Sequence, residues 1–265
     1  MQIKSSRRYL SIPYIVFMLV FVIVPLFIIA YYAFSDSNLL PSLNPAIRFF
    51  TNSSRFQVLF VSLIFGLLNT VISLLIAYPL AFFLADRKIN KNVVLVMLFV
   101  MPMWINFVLR TWALRDVLNF IGLSGGDYPE LATLIGLVYN YLPFTIMPLY
   151  VTMLKLDKSQ IEASQDLGAG PVRTFIKIIL PMTMPGIVSA ATMVFMPTMT
   201  SYVISDILGE GKVTLFGKYI ELHFVQNQWN DGSFLALVML VLIGASVLVS
   251  RQFQNKGQKK EGNVW

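Results

Sequence analysis

The chain has 265 residues, of which 57% are hydrophobic and only 12% are charged, about half the charged fraction of an ordinary soluble domain. It contains no Cys and a single His, which excludes disulfide frameworks, thiol nucleophiles and metal sites built from Cys or from clustered His. So little charge cannot cover a water-facing surface. The composition therefore indicates that most of the chain lies in a lipid bilayer.

Six uncharged runs are long enough to cross the hydrocarbon core, which takes about 20 residues at about 1.5 Å each. The first run is longer than the apolar part of a secretory signal and lacks a small-residue cleavage site, so we predict a retained signal-anchor helix. The sequence thus predicts an all-α membrane protein that forms a single transmembrane domain, residues 1–265. Its predicted spans are residues 9–34, 56–85, 92–114, 131–154, 178–205 and 232–250.

The distribution of basic residues predicts how the spans are oriented. Fourteen of the 20 Lys and Arg residues fall at the N-terminus, in the second and fourth loops and in the tail, and six fall in the alternate compartments. Because basic loops are retained on the cytoplasmic side, both termini are predicted to be cytoplasmic. The net charge of +7 then follows from membrane topology, and we expect no nucleic-acid partner.

The loop between the fourth and fifth spans, residues 157–181, is predicted to form two short helices joined by a sharp corner. Ser159 and Glu162 match the capping box that begins a helix. Each helix has about ten residues, which is too few to cross the membrane. The segment would either lie on lipid as an amphipathic helix or dock in a groove of a soluble partner.

Glycine and proline mark the corner between these two helices. Gly168 is placed to end the first helix in a left-handed conformation. The pair Gly170-Pro171 puts proline at the first position of the second helix. Pro181 then closes the second helix or begins the fifth span.

The residues of this loop resemble a known motif. Glu162-Ala-Ser-Gln-Asp-Leu-Gly-Ala169, followed by Leu180-Pro181, resembles the E-A-A-x-x-L-G-A…I-x-L-P motif of permease subunits of binding-protein-dependent ABC importers. Ser164 departs from the second Ala of the motif but is still small. The resemblance implies that this is the coupling helix, which sits in a cleft of a separate cytoplasmic ATPase.

In that family the motif residues have distinct roles. The resemblance implies that Glu162 pairs with a basic group of the ATPase and that Gly168 allows the tight turn. The residues expected to couple to the ATPase are Glu162, Ala163, Asp166, Gly168 and Ala169.

A narrower resemblance covers most of the chain from about residue 56 onward. Residues 102–110, 136–150, 155–158 and 205–206 are similar to the B-type permeases of spermidine/putrescine importers. This resemblance implies the type I (MetI-like) permease fold with six transmembrane helices, in the bacterial inner (plasma) membrane. It also implies that the chain is not an enzyme and binds no cofactor, since a partner ATPase binds and hydrolyses ATP.

The same resemblance implies a set of partners. A second, C-type permease would enclose the path, two copies of an ATPase would dock on the coupling segments, and an extracytoplasmic binding protein would deliver the polyamine. Membrane lipid surrounds the spans.

Three residues of the third span are candidates for the transport path or its support. The ring of Trp104 can attract an ammonium group, although packing or interfacial anchoring explains it equally well. Asn106 needs a polar partner, either a substrate or another helix. Arg110 would repel a polycation, so we predict that it is a structural anchor.

The fifth span contains a proline that can break its helix and two further candidate residues of the transport path. Pro197 lies well inside the run and removes a backbone hydrogen bond, which predicts a kink or an interruption. Tyr202 and Asp206 follow on one helix face and together suit a primary or secondary ammonium. Alternatively, Asp206 only marks the membrane boundary.

The sequence leaves three other functions open. An ABC importer permease for another small solute, a cation or an oxyanion, would carry the same coupling motif. A secondary transporter or channel would have no use for that motif. A membrane-embedded enzyme lacks a plausible site, since there is no H-E-x-x-H and no pair of carboxylates within a span.

Overall fold

The computed structural model describes residues 12–36, 38–86 and 94–261, with side chains up to Gln252. Across these ranges the regular structure is helical, and Ser35 and Pro41 form an isolated bridge. The all-α prediction is confirmed. The starts of the first and third predicted spans lie outside the described residues, as do the basic residues of the N-terminus and of the loop between the second and third spans.

Five helices are long and apolar enough to cross a membrane, and a bent pair makes a sixth span if it is counted as one. Two of the five contain a π-helical turn, at Leu19–Ile23 and at Phe175–Ile179. The helices are α1 (Ile12–Ala33), α2 (Asn44–Thr51), α3 (Ser53–Ala85), α4 (Val94–Trp104), α5 (Phe107–Phe120), α6 (Pro129–Met153), α7 (Lys158–Asp166), α8 (Pro171–Thr200), α9 (Tyr202–Leu208), α10 (Phe216–Val225) and α11 (Trp229–Glu261). The five candidate spans are α1, α3, α6, α8 and α11, and the bent pair is α4 with α5.

The third predicted span, residues 92–114, is not one continuous helix in the structure. Its two halves, α4 and α5, are bent by 98° at a short break. Ile105 is extended, and the side chain of Asn106 accepts hydrogen bonds from the amides of Val108 (2.9 Å) and Leu109 (3.4 Å). An asparagine that satisfies these free amides begins a new helix, so the run turns here although it carries no charge.

The fifth predicted span, residues 178–205, is interrupted close to its proline, as predicted. After α8 ends, Ser201 is extended (φ −74°, ψ 97°) and α9 begins. The amide of Ser201 donates to the carbonyl of Thr198 at 3.2 Å. The carbonyl of Pro197 instead accepts from the hydroxyl of Tyr141 at 3.3 Å. The interruption thus falls one turn after the proline, where a side chain replaces a backbone donor.

The chain divides into two compact units. The described residues of unit 1 lie within 12–57 and Tyr219–Leu242, and those of unit 2 lie within Val58–Lys218 and 243–261. The single transmembrane domain, residues 1–265, stays a prediction.

Unit 1 is held by aromatic packing and by a buried ion cluster. Phe49 is 3% exposed, and its ring centre lies 5.7 Å from that of Phe234. The carboxylate of Asp231 bridges Arg48 and Arg55, each at 2.8 Å. The side chains of Arg55 and Asp231 are only 8% and 10% exposed. Because removal of one partner leaves a buried charge uncompensated, such clusters are costly to break, by about 3–5 kcal/mol.

Unit 2 contains two hydrophobic clusters, one around Leu137 and Leu208 and the other around Ile146 and Leu149. Lipid is as apolar as these side chains, so close packing and hydrogen bonds must hold the helices together. A Cβ atom on Gly136 would overlap Leu208, so this glycine lets α6 and α9 approach. This approach fixes α9, which carries two of the predicted path residues.

A buried polar contact joins α3 to α8. The amide of Asn69 donates to the hydroxyl of Thr198 at 2.6 Å, and both residues are 0% exposed. Ser73 donates to Asn69 at 3.2 Å. Such interhelical bonds contribute about 0.6 kcal/mol each on average in a membrane, so this contact mainly fixes the register of the two helices.

Candidate coupling segment and transport path

The coupling segment, residues 157–181, begins with a cap that differs from the predicted one. The N-cap of α7 is Asp157, whose carboxylate accepts from the amide (3.0 Å) and the hydroxyl (2.8 Å) of Ser159. These hydrogen bonds from Ser159 lower the pKa of Asp157 below its usual value. The predicted capping box of Ser159 and Glu162 is therefore wrong, because a carboxylate two residues earlier already satisfies the free amide.

The corner that follows α7 is as predicted. Gly168 has φ +80°, in the left-handed region that side chains rarely adopt. Its amide donates to Gln165 at 2.8 Å, and the next amide, of Ala169, donates to Ser164 at 3.1 Å. A Cβ atom on Gly168 would meet nothing within 4 Å, so the requirement for glycine comes from the backbone alone.

The second short helix of the prediction is wrong as a separate element. Pro171 begins a helix as expected, but that helix is α8, which continues through Pro181 to Thr200. The π-helical turn Phe175–Ile179 lies immediately before Pro181. A wider turn can accommodate a residue that has no amide N–H, so the proline does not end the helix.

The coupling residues form an exposed surface. Glu162, Ala163, Asp166 and Gly168 are exposed, and Ala169 is half-buried. Two apolar side chains adjoin them without cover, since Leu167 is 88% exposed and Val172 is 69% exposed. An exposed apolar and acidic surface of this kind is suited to docking on another protein.

The bend between α4 and α5 holds two of the predicted path residues. Trp104 is 87% exposed at the end of α4. Asn106 is exposed and caps α5, so its partners are amides of its own helix. Both are next to residues that line a cavity of about 240 Å³, whose walls are Met103, Phe107, Arg110, Asn140, Tyr141, Phe144 and Ile204.

Arg110 is buried and anchors α5 to its neighbours. It donates to the side chain of Asn140 from Nε (3.0 Å) and Nη2 (2.8 Å), and from Nη1 to the carbonyl of Pro102 (2.8 Å). Its guanidinium lies 5.5 Å from the centre of the Tyr139 ring. These contacts agree with the prediction that Arg110 is a structural anchor.

The short helix α9 carries the other two predicted path residues. Tyr202 is 41% exposed, and the side chain of Asp206 is 48% exposed. The ammonium of Lys218 lies 3.4 Å from the Asp206 carboxylate. A primary ammonium of the protein therefore already occupies the position in which a substrate amine would be expected.

Sequence reasoning missed Lys218 as the partner of Asp206, and it assigned Leu167 to the apolar side of the first short helix. Lys218 reaches Asp206 because Gly217 packs against the end of α8, where a Cβ atom would overlap the backbone of Thr200. No local spacing signals this contact. Leu167 follows the last residue of α7, so a helical pattern assigns it to a helix face that has already ended.

The apolar spans together with the exposed, glycine-terminated coupling helix define a permease of the ABC importer class. The chain belongs to the family described as binding-protein-dependent transport system inner membrane component, whose profile matches residues 5–260.

Relatives that are similar over most of this chain include permeases named for spermidine and putrescine transport. The spermidine/putrescine transport system permease protein PotB of Escherichia coli (strain K12) is 36% identical over 209 residues, which cover 73% of this chain and 76% of PotB. The protein of the same name from Salmonella typhimurium (strain SL1344) is 36% identical over 224 residues, which cover 79% and 78%. A PotB homolog of Mycoplasma pneumoniae is 29% identical over 232 residues, which cover 82% and 80%. The resemblance to these permeases is confirmed.

Solved structures show the same fold. A chain of the bacterial ABC transporter involved in import of the acidic polysaccharide alginate matches with a TM-score of 0.65 and 16% identity, over 92% of this chain and 94% of that chain. A chain of the MetNI methionine ABC transporter, in an inward-facing conformation, matches with a TM-score of 0.58 and 16% identity, over 78% and 99%. The predicted MetI-like permease fold is confirmed.

Proposed function

We propose that this chain is the transmembrane permease subunit of an ATP-driven importer of polyamines, with spermidine and putrescine as substrates. The observation that carries the substrate class is the 36% identity to PotB permeases over most of the chain. The exposed coupling segment supports the ATP-driven mechanism.

In this proposal α7 docks on a separate ATPase. Glu162 and Asp166 offer carboxylates to basic groups of the ATPase, Ala163 and Ala169 allow close approach, and Leu167 fills an apolar pocket. A buried apolar anchor with a polar rim is the usual composition of a strong contact. ATP binding would draw two ATPase copies together and move the two permeases. The chain itself would bind no cofactor and carry out no covalent chemistry.

The remaining partners and the topology are part of the same proposal. A second permease of the C-type would complete the path, and a polyamine-binding protein would deliver the substrate from outside. Both termini would lie in the cytoplasm, which puts the coupling segment on the side where ATP is available. The excess of basic residues in that set of loops supports this orientation.

The transport path would use the aromatic and acidic groups near the outer ends of the spans. The rings of Trp104 and Tyr202 would attract ammonium groups, and Asp206 would pair with one of them. The structure supports a structural role for Asn106 and not a contact with the substrate. Its side chain caps α5 and so fixes where this helix begins beside the path. Because Lys218 contacts one oxygen of the half-exposed Asp206 carboxylate, a polyamine ammonium would compete with this lysine for the carboxylate.

Reconstituted transport tests the coupling assignment. The complete importer, with this chain, its partner permease, the ATPase and the binding protein, is placed in proteoliposomes. Glu162→Ala should reduce ATP-driven spermidine uptake at least tenfold, whereas Gln160→Ala on the same exposed helix should leave it unchanged. Equal insertion of both variants in the membrane is the control. Normal uptake by the Glu162 variant would refute the docking role of this residue.

Competition and charge removal test the substrate. Unlabelled putrescine should compete with spermidine uptake, and an oxyanion such as sulfate should not. Asp206→Asn should raise the KM for spermidine severalfold, and Lys218→Met should lower it because the competing ammonium is gone. Asp116→Asn, which removes an exposed carboxylate elsewhere, is the matched control. Unchanged KM values in both variants would remove Asp206 from the path, and competition only by other solutes would refute the polyamine assignment.

A further inference from the structure

Two hydroxyl groups meet across the corner of the coupling segment. Ser164 on α7 and Thr174 in the first turn of α8 form a hydrogen bond with 2.8 Å between their oxygens. Thr174 is 2% exposed, and Ser164 is half-buried. Ser164 is also the position at which this chain departs from the Ala of the family motif. The departure therefore coincides with a side-chain contact between α7 and α8.

The link between the two helices consists of a left-handed Gly168 and an extended Gly170 (φ −66°, ψ 163°), and a Cβ atom on either glycine would meet nothing within 4 Å. Among the described residues, the backbone hydrogen bonds at this corner close the end of α7 and the start of α8, and none of them joins the two helices. The hydroxyl pair closes the corner, while Leu167 and Val172 are exposed.

The first turns of α8 are in turn fixed to α3. The ring of Phe175 packs edge-on against that of Tyr78, with 5.7 Å between the ring centres. The hydroxyl of Tyr78 lies 2.9 Å from that of Thr183, about two turns further into the span. Thr174 therefore lies at the end of α8 that packs against α3 within unit 2. A displacement of Thr174 would act on α8 as a whole.

We propose that the Ser164–Thr174 hydroxyl pair holds α7 at a fixed angle to α8, so that movement of the ATPase is transmitted to the span and not absorbed at the corner. This inference rests on the proposed function, in which α7 docks on an ATPase. Neither hydroxyl touches substrate or ATP, so both are positioning residues.

The hydrogen bond between Ser164 and Thr174 predicts how the single and double variants of these residues should compare in coupling. Ser164→Ala leaves the buried Thr174 hydroxyl without its partner across the corner, and Thr174→Val leaves the half-buried Ser164 hydroxyl without its partner. Each single variant removes the same contact between α7 and α8, and replacing both residues together removes no further contact. The effects of the single variants should therefore not add in the double variant.

The experiment measures spermidine molecules imported per ATP hydrolysed by the complete importer in proteoliposomes. Ser164→Ala and Thr174→Val should each lower this ratio about three- to tenfold, the factor that corresponds to the loss of one net hydrogen bond. Ser164→Ala/Thr174→Val should show about the same loss as the more impaired single variant. Ser164→Thr, which keeps a hydroxyl, should retain most of the ratio. ATP hydrolysis in all four should stay close to that of the unaltered importer.

Two outcomes would overturn the proposal: single variants with an unaltered ratio, or a double variant whose loss is the product of the single losses. Glu162→Ala, measured in parallel, separates this failure from failure of the proposed function. If Glu162→Ala abolishes uptake while the hydroxyl variants are neutral, only the hydroxyl pair is refuted. If Glu162→Ala is itself neutral, the docking of α7 on the ATPase fails, and the proposal about the hydroxyl pair fails with it.

Discussion

The two ends of α8 each carry a short helix attached through a non-helical break, yet the two helices are held in different ways. At one end, α9 follows Ser201 and is packed into the core, with Ile204, Ile207 and Leu208 buried. At the other end, α7 precedes the glycine corner and has no buried residue.

This difference indicates what each short helix is built for. Side-chain and backbone packing against Gly136 and Gly125 fixes α9, so it can keep Tyr202 and Asp206 in place while the span moves. By contrast, α7 depends on a cap, a left-handed glycine and a hydroxyl pair. Its surface is left available for a partner, and small local changes there should alter coupling more than stability.

The largest effect is expected from crowding the packed end. A Cβ atom on Gly125 would overlap the backbone carbonyl of Leu208, which cannot move aside as a flexible side chain can. Gly125→Ala should therefore destabilise the protein by about 1–3 kcal/mol and lower the Tm of the purified importer. The neighbouring Gly126→Ala, whose Cβ atom would make only ordinary contacts, is the control. Equal Tm values for the two variants would contradict the close packing of α9.

A smaller effect, confined to function, is expected at the glycine corner. Gly168→Ala forces a side chain into the left-handed region at a cost of about 1–2 kcal/mol. ATP-driven uptake should fall severalfold, with little change in Tm because α7 is exposed. Gly168→Asn should recover part of the activity, since asparagine tolerates this conformation. Gly170→Ala, at negative φ and in open space, should behave like the unaltered chain; a matching loss there would show that the conformation of Gly168 is not the cause.

The exposed leucine should affect docking alone. Leu167→Ser removes an apolar side chain that is 88% exposed in the isolated chain, so stability should change by less than about 0.5 kcal/mol. Co-purification of the ATPase with a tagged copy of this chain should nevertheless decrease. Val225→Ser, at a residue 68% exposed outside the coupling segment, provides the control. Full recovery of the ATPase with the Leu167 variant would contradict a docking role for this side chain.

The smallest expected effect is a pH dependence of the stability of the first turn of α7. The folded pKa of Asp157 lies below its unfolded value of about 3.8, because Ser159 donates hydrogen bonds to the carboxylate. The stabilisation by this cap is thus complete above the unfolded pKa and is lost as the pH falls through the lower, folded pKa. The protection of the Ser159 amide, measured as its exchange rate relative to the intrinsic rate at the same pH, should decrease only in that acidic range, and this loss of protection is the acceleration to be measured. Asp157→Asn should remove the pH dependence while keeping a cap; if the acceleration persists, another group causes it.

Local signals in the sequence predicted much of the fold. Long uncharged runs identified the spans because lipid leaves few alternatives to a helix. Gly168 and Pro171 were assigned correctly because each has one backbone preference that is independent of its surroundings. The cap at Asp157 was also a local signal, but Ser159 and Glu162 formed a competing pattern that fits the same positions.

Contacts between residues distant in the chain could not be predicted from the sequence. The pairing of Asp206 with Lys218 depends on the turn between α9 and α10, and the burial of Thr174 depends on how α7 folds back. The break at Asn106 lies inside an uncharged run, where hydropathy gives no signal and only the capping preference of asparagine marks it. The resemblance to a family supplied the coupling role, which the physical pattern alone left open between lipid and protein.

The ion cluster of unit 1 has a consequence for biosynthesis. Arg55 and Asp231 are separated by 176 positions, so at about 5–20 residues per second roughly 10 to 35 seconds pass between the translation of one and the other. During that interval the arginine has no access to its carboxylate. The Arg55–Asp231 pair of unit 1 can therefore form only after Asp231, in the first turn of the last span, has been translated, and a chain truncated before Asp231 would retain Arg55 without this carboxylate.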